Sequence, residues 1–320
     1  MENTQKRIAV IIPCFKVKKH ILSVLSKMSS VVWRIYVVDD CCPEKSGEYI
    51  EKNSIDSRVV VIYHSENMGV GGATLTGFKQ AIQDGADILV KVDGDGQMDL
   101  SILSKFVSPI EKETADYTKG NRFYDLTYIR RMPGIRLFGN TILSIISKFS
   151  SGYWNIFDPT NGYLAISAKV AKLLPMDKIS RRYFFETDLL FRLYLIRAVV
   201  FDIPMEAVYN NEISNLKISK EFPIFFAGHL KNFTKRIFYC YFLRDINAGS
   251  FELVLGFLLL SFGVIFGCTS WVNGMLNETI ATSGTVMLAA LPIILGIQFL
   301  LAFLNGDIAN VPTYPIQKKT

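Results

Sequence analysis

The sequence has 320 residues, half of them hydrophobic, and a formal net charge of +6. This length fits one large domain with an additional part, or two small domains. The mild charge and the lack of a long basic tract argue against a nucleic-acid-binding protein. The five cysteines include an adjacent pair and form an odd set. We therefore expect reduced thiols in the cytosol rather than a disulfide framework or a metal-binding spacing.

Apolar runs and helical spacings alternate along the first two thirds of the chain, as in an α/β protein. The first run is short and stops at Pro13, so it predicts a strand rather than a signal peptide. The alternation predicts a mostly parallel sheet with helices on both faces. The predicted strands are residues 8–12, 35–38, 59–63, 86–92 and 199–203, and the predicted helices are residues 18–28, a short one around Tyr49, and residues 73–83.

Polar or glycine-rich residues follow three of these strands. The second strand ends in Asp39 and Asp40, the third leads into a glycine-rich turn at residues 67–72, and the fourth leads into Asp93 and Asp95. Ligands bind at the carboxyl ends of the strands in an open α/β sheet. We therefore expect these segments to line one binding site.

Asp93 and Asp95 stand one residue apart, among Gly94 and Gly96. Mg²⁺ and Mn²⁺ take oxygen ligands and often share them with substrate phosphates, so the pair predicts a metal–diphosphate site. A solvated Asp-Gly turn with helix-capping acids is the alternative.

The glycine-rich turn does not match a dinucleotide-binding fingerprint, which should follow the first strand. We interpret its glycines as room for the backbone to approach a nucleotide base or ribose. A plain loop before a helix is the alternative.

Several short motifs occur in a set order. IIPCF, VVDDCCPE, NMGVGGA and VDGDGQ resemble the nucleotide-sugar-binding half of the family 2 glycosyltransferases, which have a GT-A fold. Further along, GNRF, RLFGN, DPTNGY and FFETDLLFRL resemble the polyprenyl-phosphate branch, the dolichol-phosphate mannose synthase-like enzymes. The resemblance covers roughly residues 8–211. It departs from the family at CCPE, where the family more often has Gly-Ser and an Asp.

The resemblance implies a divalent metal, Mg²⁺ or Mn²⁺, and roles for individual residues. Asp95 falls at the metal-coordinating position, with Asp93 beside it as a second ligand. Arg122 and Arg136 match basic residues near the donor or acceptor phosphates, which guanidinium groups can bind bidentately. The implied nucleotide-sugar-binding residues are Pro13, Asp39, Asp40, Asn67, Gly69, Gly72, Asp93 and Asp95, and the implied catalytic residues are Asp95, Glu186, Asp188, Arg122 and Arg136.

Glu186 and Asp188 match the family's acidic pair near the acceptor. Residues two apart cannot lie on the same face of a helix, however. One of them can instead cap the helix or pair with Arg192, and the sequence does not decide which one acts.

Two segments in the last third of the chain, residues 253–272 and 285–304, contain no charged residue and are long enough to span a bilayer as helices. The loop between them has no Lys or Arg, whereas basic residues lie before the first segment and after the second. The positive-inside rule therefore places the catalytic domain in the cytoplasm. An aromatic and basic stripe at residues 222–244 suits a membrane interface, with a buried amphipathic helix as the alternative.

These observations predict a GT-A catalytic domain at residues 1–215, an amphipathic juxtamembrane region at 216–250, two transmembrane helices at 251–305 and a cytoplasmic tail at 306–320. The predicted activity is inverting transfer of a sugar from a UDP- or GDP-sugar to a polyprenyl phosphate at the cytoplasmic (inner) membrane.

Two alternatives remain. One is transfer to a sugar hydroxyl of a lipid-linked glycan, with Glu186 or Asp188 as base. The other is a non-catalytic membrane scaffold on the same fold. A processive polysaccharide synthase is disfavoured because the sequence lacks a Q-x-x-R-W motif. The oligomeric state is left open, a homo-oligomer included.

Overall fold

The computed structural model describes residues 6–125, 134–206 and 218–319. The chain divides into two compact units. The first comprises Met1–Phe233 together with Pro312–Thr320, and the second comprises Thr234–Val311. The chain therefore leaves the first unit once and returns to it.

A seven-stranded sheet forms the centre of the first unit, in the order β3-β2-β1-β4-β6-β5-β7. Strand β6 runs antiparallel to its neighbours β4 and β5, and the other paired strands are parallel. This confirms the predicted mostly parallel sheet. The strands are β1 (Ile8–Cys14), β2 (Val32–Asp39), β3 (Val59–Tyr63), β4 (Ile88–Lys91), β5 (Tyr117–Asn121), β6 (Leu164–Ser167) and β7 (Val200–Pro204).

Five of these strands match apolar runs in the sequence, and two do not. Strand β5 reads YTKGN and strand β6 has four residues. Neither has the β-branched run by which a buried strand is recognised. Both are nevertheless completely buried, because their neighbours in the sheet and helix α4 cover them.

The helices of the first unit differ from the predicted ones mainly at their ends. Helix α3 begins at Gly69 rather than at residue 73, so the predicted turn at residues 67–72 includes the first helical turn. The helices are α1 (Ile21–Ser26), α2 (Ser46–Asn53), α3 (Gly69–Gln83), α4 (Leu103–Glu111), α5 (Gly134–Ser151), α6 (Ala168–Lys172), α7 (Phe185–Leu195) and α8 (Ile218–Phe238).

Helices cover both faces of the sheet. Alternate residues of β1, such as Val10 and Ile12, belong to one apolar core together with Leu25 of α1 and Phe106 of α4. On the other face α3 packs on Ile11 through Gly77, where an added Cβ would collide with the isoleucine. Because both faces are buried, the central strands are apolar throughout.

Two long apolar helices dominate the second unit: α9 (Ala248–Leu276) and α10 (Ser283–Ala309). Both are long and apolar enough to cross a membrane, and most of their residues are exposed in the isolated chain. They pack closely at glycines, since an added Cβ at Gly296 would lie 2.6 Å from the backbone nitrogen of Leu260. Small residues at such contacts are typical of helix pairs in membranes.

The segment after α10 completes the core of the first unit. The buried carboxylate of Asp116 accepts hydrogen bonds from the backbone N–H groups of Ile316 and Gln317, both at 2.9 Å, and from that of Val199 at 2.8 Å. The side-chain amide of Gln317 donates to the carbonyl oxygens of Ile110 and Ala115. Both ends of the helix pair are thus joined to the same unit.

We expect Gln317→Ala to destabilise the first unit by about 1–3 kcal/mol, because buried carbonyl groups lose their hydrogen-bond donor. Thermal unfolding of the purified full chain in detergent measures the change. The control is Lys318→Ala, which alters an exposed neighbour and should shift stability by less than about 0.5 kcal/mol. Equal stability of the two variants would contradict a structural role for the tail.

Candidate active site

The carboxyl edge of the sheet brings the predicted polar residues together. Strand β2 delivers Asp39 and Asp40, and β4 delivers Asp93 and then Asp95. The segment before β6 and the start of α7 meet the end of β4, since Lys91 contacts both Gly162 and Glu186. The site is therefore built from segments far apart in sequence.

Asp93 and Asp95 lie in the turn after β4, and both are half-buried. One oxygen of Asp93 accepts a hydrogen bond from the ammonium group of Lys91 at 2.7 Å. One oxygen of Asp95 accepts the backbone N–H of Gln97 at 3.0 Å. The turn thus holds both carboxyl groups in place while leaving part of each open to solvent.

Lys91 is the residue that the sequence interpretation missed. Its side chain is 1 % exposed, and its ammonium group lies 2.7 Å from Asp93 Oδ1, 3.1 Å from the carbonyl oxygen of Gly162 and 3.3 Å from Glu186 Oε1. Three acceptors match the three N–H donors of the ammonium group. Desolvation alone would lower the pKa of Lys91, but the charges of Asp93 and Glu186 outweigh it and raise the pKa.

Glu186 is buried in the first turn of α7. Burial raises its pKa, and the ammonium group of Lys91 opposes that rise. Gly162 completes the cluster, because an added Cβ there would lie 2.6 Å from Asp93 Oδ2 and 2.7 Å from Lys91 Nζ. The residues Lys91, Asp93, Gly162 and Glu186 are called the Lys91 cluster below.

Asp188 has a different environment from Glu186. Its carboxylate accepts hydrogen bonds from the backbone N–H of Ser180 at 2.9 Å, from Arg192 Nε at 3.0 Å and from Asn232 Nδ2 at 3.1 Å. The ion pair with Arg192 is the alternative that the sequence left open. Of the two acids, Glu186 is therefore the one that pairs with Lys91.

Asp39 and Asp40 are both buried and shape the loops around them. Asp39 accepts the backbone N–H groups of Cys42 and Gly47, at 2.7 and 2.6 Å. Asp40 accepts those of Met68 and Gly69, both at 2.8 Å, and its Oδ1 lies 2.8 Å from His64 Nδ1.

The neighbouring predicted residues also have internal partners. Asn67 donates its side-chain amide to the carbonyl oxygen of Asp40. Pro13 lies in β1, paired with Val38. Together with Asp39 and Asp40, these contacts fix the carboxyl ends of β1 and β2.

The glycines after β3 make room for another part of the chain. An added Cβ at Gly69, whose φ is +83°, would lie 2.7 Å from the carbonyl oxygen of Arg181, and one at Gly71 would lie 2.6 Å from that of Ser180. The backbone N–H of Gly72 donates to the Arg181 carbonyl at 2.9 Å. In the structure these glycines allow the segment before α7 to come close, and the approach to a nucleotide base or ribose stays a prediction.

Arg122 forms a two-pronged ion pair with the buried Asp158, at 2.7 Å from Nε and 2.6 Å from Nη2. Burial would raise the pKa of Asp158, but the charges of Arg122 and Lys119 lower it below its usual value. About a quarter of the Arg122 side chain stays exposed. Arg136 belongs to α5, but its side chain lies outside the described residues.

The oxygen donors at the site fit a hard divalent cation. Within the described part of the chain, no three His, Cys, Asp or Glu side chains lie close enough together to hold a metal ion by themselves. Asp93 and Asp95 would supply two carboxylates, and Mg²⁺ usually takes few protein ligands and shares the rest with substrate phosphates and water.

The chain is similar to known proteins in both sequence and fold. Residues 9–174, just over half of the chain, match the model of the family described as glycosyl transferase family 2. The chain belongs to glycosyl transferase family 2. It is thus a glycosyltransferase, and the two apolar helices make it a membrane protein.

Two curated relatives have similar sequences over most of their own length. A UDP-N-acetylglucosamine–dolichyl-phosphate N-acetylglucosaminyltransferase of Methanococcus voltae is 28% identical over 218 residues, which cover 64% of this chain and 86% of the relative. An undecaprenyl-phosphate mannosyltransferase of Micrococcus luteus is 28% identical over 224 residues, which cover 67% of this chain and 88% of the relative.

Solved structures confirm the GT-A architecture. Glucosyl-3-phosphoglycerate synthase from Mycobacterium tuberculosis, solved in complex with Mn²⁺, UDP and phosphoglyceric acid, superposes with a TM-score of 0.53 at 16% identity. The match covers 72% of this glycosyltransferase and 78% of that chain. At this identity the likeness shows the fold.

We expect Lys91→Met to abolish transfer and to destabilise the protein by about 3–5 kcal/mol, because two buried or half-buried carboxylates lose their common cation. Adding Glu186→Gln to this variant should recover part of the stability, since it removes one of the two negative charges. Thermal unfolding and transfer assays of both variants measure the effects.

The matched control for this pair is Lys105→Met, which removes the charge of an exposed lysine and should leave both quantities nearly unchanged. A stable, active Lys91→Met variant would show that the Lys91 cluster has no role in the site.

Proposed function

We propose that this glycosyltransferase moves a sugar from a UDP- or GDP-sugar to a polyprenyl phosphate, with inversion at the anomeric carbon. One observation carries the proposal: the carboxylates of Asp93 and Asp95 lie at the carboxyl edge of a GT-A sheet whose chain continues into a membrane-spanning helix pair. The names of the two relatives, which act on dolichyl or undecaprenyl phosphate, support this acceptor class.

The donor is proposed to bind at the edge formed by β1, β2 and β4. Asp93 and Asp95 would hold a divalent metal together with the diphosphate of the donor, and Lys91 keeps Asp93 oriented. When bound, such a metal neutralises charge on the departing nucleoside diphosphate. Asp39, Asp40 and Asn67 fix the loops on the side where the base and ribose would lie.

In the proposed reaction an oxygen of the lipid phosphate attacks the anomeric carbon as the bond from that carbon to the diphosphate oxygen breaks. The products are a polyprenyl phosphosugar and a nucleoside diphosphate. A phosphate acceptor is already anionic, so it needs no general base. This suits the state of Glu186, whose carboxylate is buried and held by Lys91.

In the acceptor, cations would bind the phosphate group and an apolar surface would bind the polyprenyl chain. Arg122 reaches the edge of the site from β5 and keeps part of its side chain exposed. Helix α5 exposes Phe138, Ile142, Ile145 and Phe149 at helical spacing. Arg136, at the start of the same helix, remains the proposed acceptor-phosphate ligand.

The proposal is tested by incubating the purified full chain with UDP- and GDP-sugars and a short-chain polyprenyl phosphate, and measuring the lipid product by mass spectrometry. We expect a phosphosugar lipid as the product. EDTA should abolish its formation reversibly, and Asp95→Asn should abolish it because one ligand charge is lost. A matched control is Asp177→Asn, which alters an exposed aspartate that pairs with Lys79. No sugar on the polyprenyl phosphate with any of the donors would overturn the proposed acceptor, and full activity in EDTA would overturn the proposed metal.

We further propose that the catalytic unit lies in the cytoplasm and the anchor in the cytoplasmic membrane. Two observations support this arrangement. The connection between α9 and α10 carries Glu278 and no basic residue. The segment after α10 packs into the first unit through Gln317, so an even number of crossings is required.

For topology, a membrane-impermeant thiol reagent added to intact cells should label Ala281→Cys and should not label Lys318→Cys until the cells are permeabilised. The background needs Cys41 and Cys268 replaced by serine, because both are exposed. Labelling of both sites, or of neither, in intact cells would rule out a two-helix anchor with a cytoplasmic catalytic unit.

A further inference from the structure

Helix α8 belongs to the first unit up to Phe233, and its last turn belongs to the second. Within the first unit it contacts the start of α7 and the end of α5 at three positions in just over one turn: Gly228, His229 and Asn232. Helix α7 carries Glu186 of the Lys91 cluster in its first turn. The contacts of α8 therefore bear on the position of Glu186.

Gly228 allows the closest of these contacts. An added Cβ would lie 2.7 Å from the ring of Phe184, which directly precedes α7. The same ring packs edge-on against Phe225 and His229, with centroid distances of 5.4 and 5.2 Å. The ring of Phe184 is thus packed against Phe225, Gly228 and His229 of α8.

Asn232 provides the polar contact. Its side-chain amide donates to Asp188 Oδ1 at 3.1 Å, and both side chains are buried. The other oxygen of Asp188 accepts Ser180 N and Arg192 Nε. Asp188 therefore joins Asn232 of α8 to Ser180 and Arg192, which lie on either side of Glu186 in the sequence.

His229 joins α8 to α5. Its Nδ1 lies 2.7 Å from the hydroxyl oxygen of Ser150, and burial lowers the pKa of its imidazole to about 4. The ring is therefore neutral at physiological pH and packs as a largely apolar group against Phe184.

A separate stripe of α8 is uncovered. Phe222, Phe226 and Leu230 follow one another at four-residue intervals, and each is more than half exposed. Such an apolar stripe indicates an interaction surface. The occupant that fits is a lipid surface, because the chain continues into the membrane-spanning helix α9 at Ala248 and because α5, bonded to α8 through Ser150, exposes a similar stripe.

We propose that α8 couples binding of the lipid surface to the active site, with Asn232 and Asp188 as positioning residues that set the place of Glu186. Lipid bound to the stripe would hold α8, and α8 would hold Phe184 and Asp188 at the start of α7. The inference rests on the proposed function for the identity of the acceptor. The link between lipid binding at α8 and the position of α7 does not depend on it.

The test compares the full-length wild type with Asn232→Leu, which keeps the volume of the side chain and removes the donor, and with Gly228→Ala. We expect kcat for transfer to polyprenyl phosphate in lipid nanodiscs to fall roughly tenfold to hundredfold, as for loss of a hydrogen bond to a charged group. The KM for the nucleotide sugar should change less than about twofold. Gln317→Ala is the control, because it weakens the same unit through the side-chain bonds to Ile110 and Ala115 and leaves the contacts of Gly228 and Asn232 in place, so that kcat should be unchanged.

A second readout does not depend on the acceptor. Hydrogen–deuterium exchange at residues 184–190 should be slower in nanodiscs than in detergent for the wild type and for Gln317→Ala, and equal in both media for Asn232→Leu. Unchanged kinetics together with the wild-type exchange response in Asn232→Leu would overturn the coupling. If the wild type transfers no sugar to polyprenyl phosphate, the proposed acceptor fails, and the exchange measurement alone decides the coupling.

Discussion

A single buried ammonium group holds the centre of the site together. Lys91 is buried at the carboxyl end of the central strand β4, where an unpaired charge would be very unfavourable, and three oxygens from three separate segments surround it. Its charge allows Glu186 to be buried and keeps one oxygen of Asp93 fixed, while part of that carboxyl group stays open to solvent. The turn that carries Asp93 and Asp95, the strand before it and the first turn of α7 thereby depend on one another.

Carboxylates in this glycosyltransferase are used in two ways. Asp39, Asp40, Asp116 and Asp188 are buried and accept backbone N–H groups, so each one shapes a loop or joins two segments. Asp93 and Asp95 are half-buried beside glycines and leave part of their carboxyl groups accessible. Burial separates the first group from the second, because a carboxylate whose oxygens are occupied by backbone donors has little capacity left for a ligand.

The sequence predicted the parts of the fold that depend on local pattern. The apolar runs at β1, β3 and β4 and the paired acids after β4 could be recognised because a buried parallel strand and its following turn have a local signature. The antiparallel insertion of β6 could not, since strand order depends on pairing between distant segments.

Lys91 was missed for a related reason: a lysine at the end of an apolar run resembles an exposed strand end until its partner Glu186 is placed beside it. The glycines after β3 were predicted to make room for a nucleotide base or ribose, and in the structure they make room for the backbone of Arg181, a distant segment that no local pattern indicates.

The return of the tail to Asp116 has consequences for biosynthesis. Residues 316 and 317 are translated after both apolar helices, so the core around Asp116 stays incomplete until the helix pair has been inserted. A chain that inserts only α9 would leave its tail on the far side of the bilayer and its catalytic unit with an exposed, poorly protected seam. Correct insertion is thereby linked to the folding of the enzyme, and a protease that recognises unfolded segments could remove chains that insert wrongly.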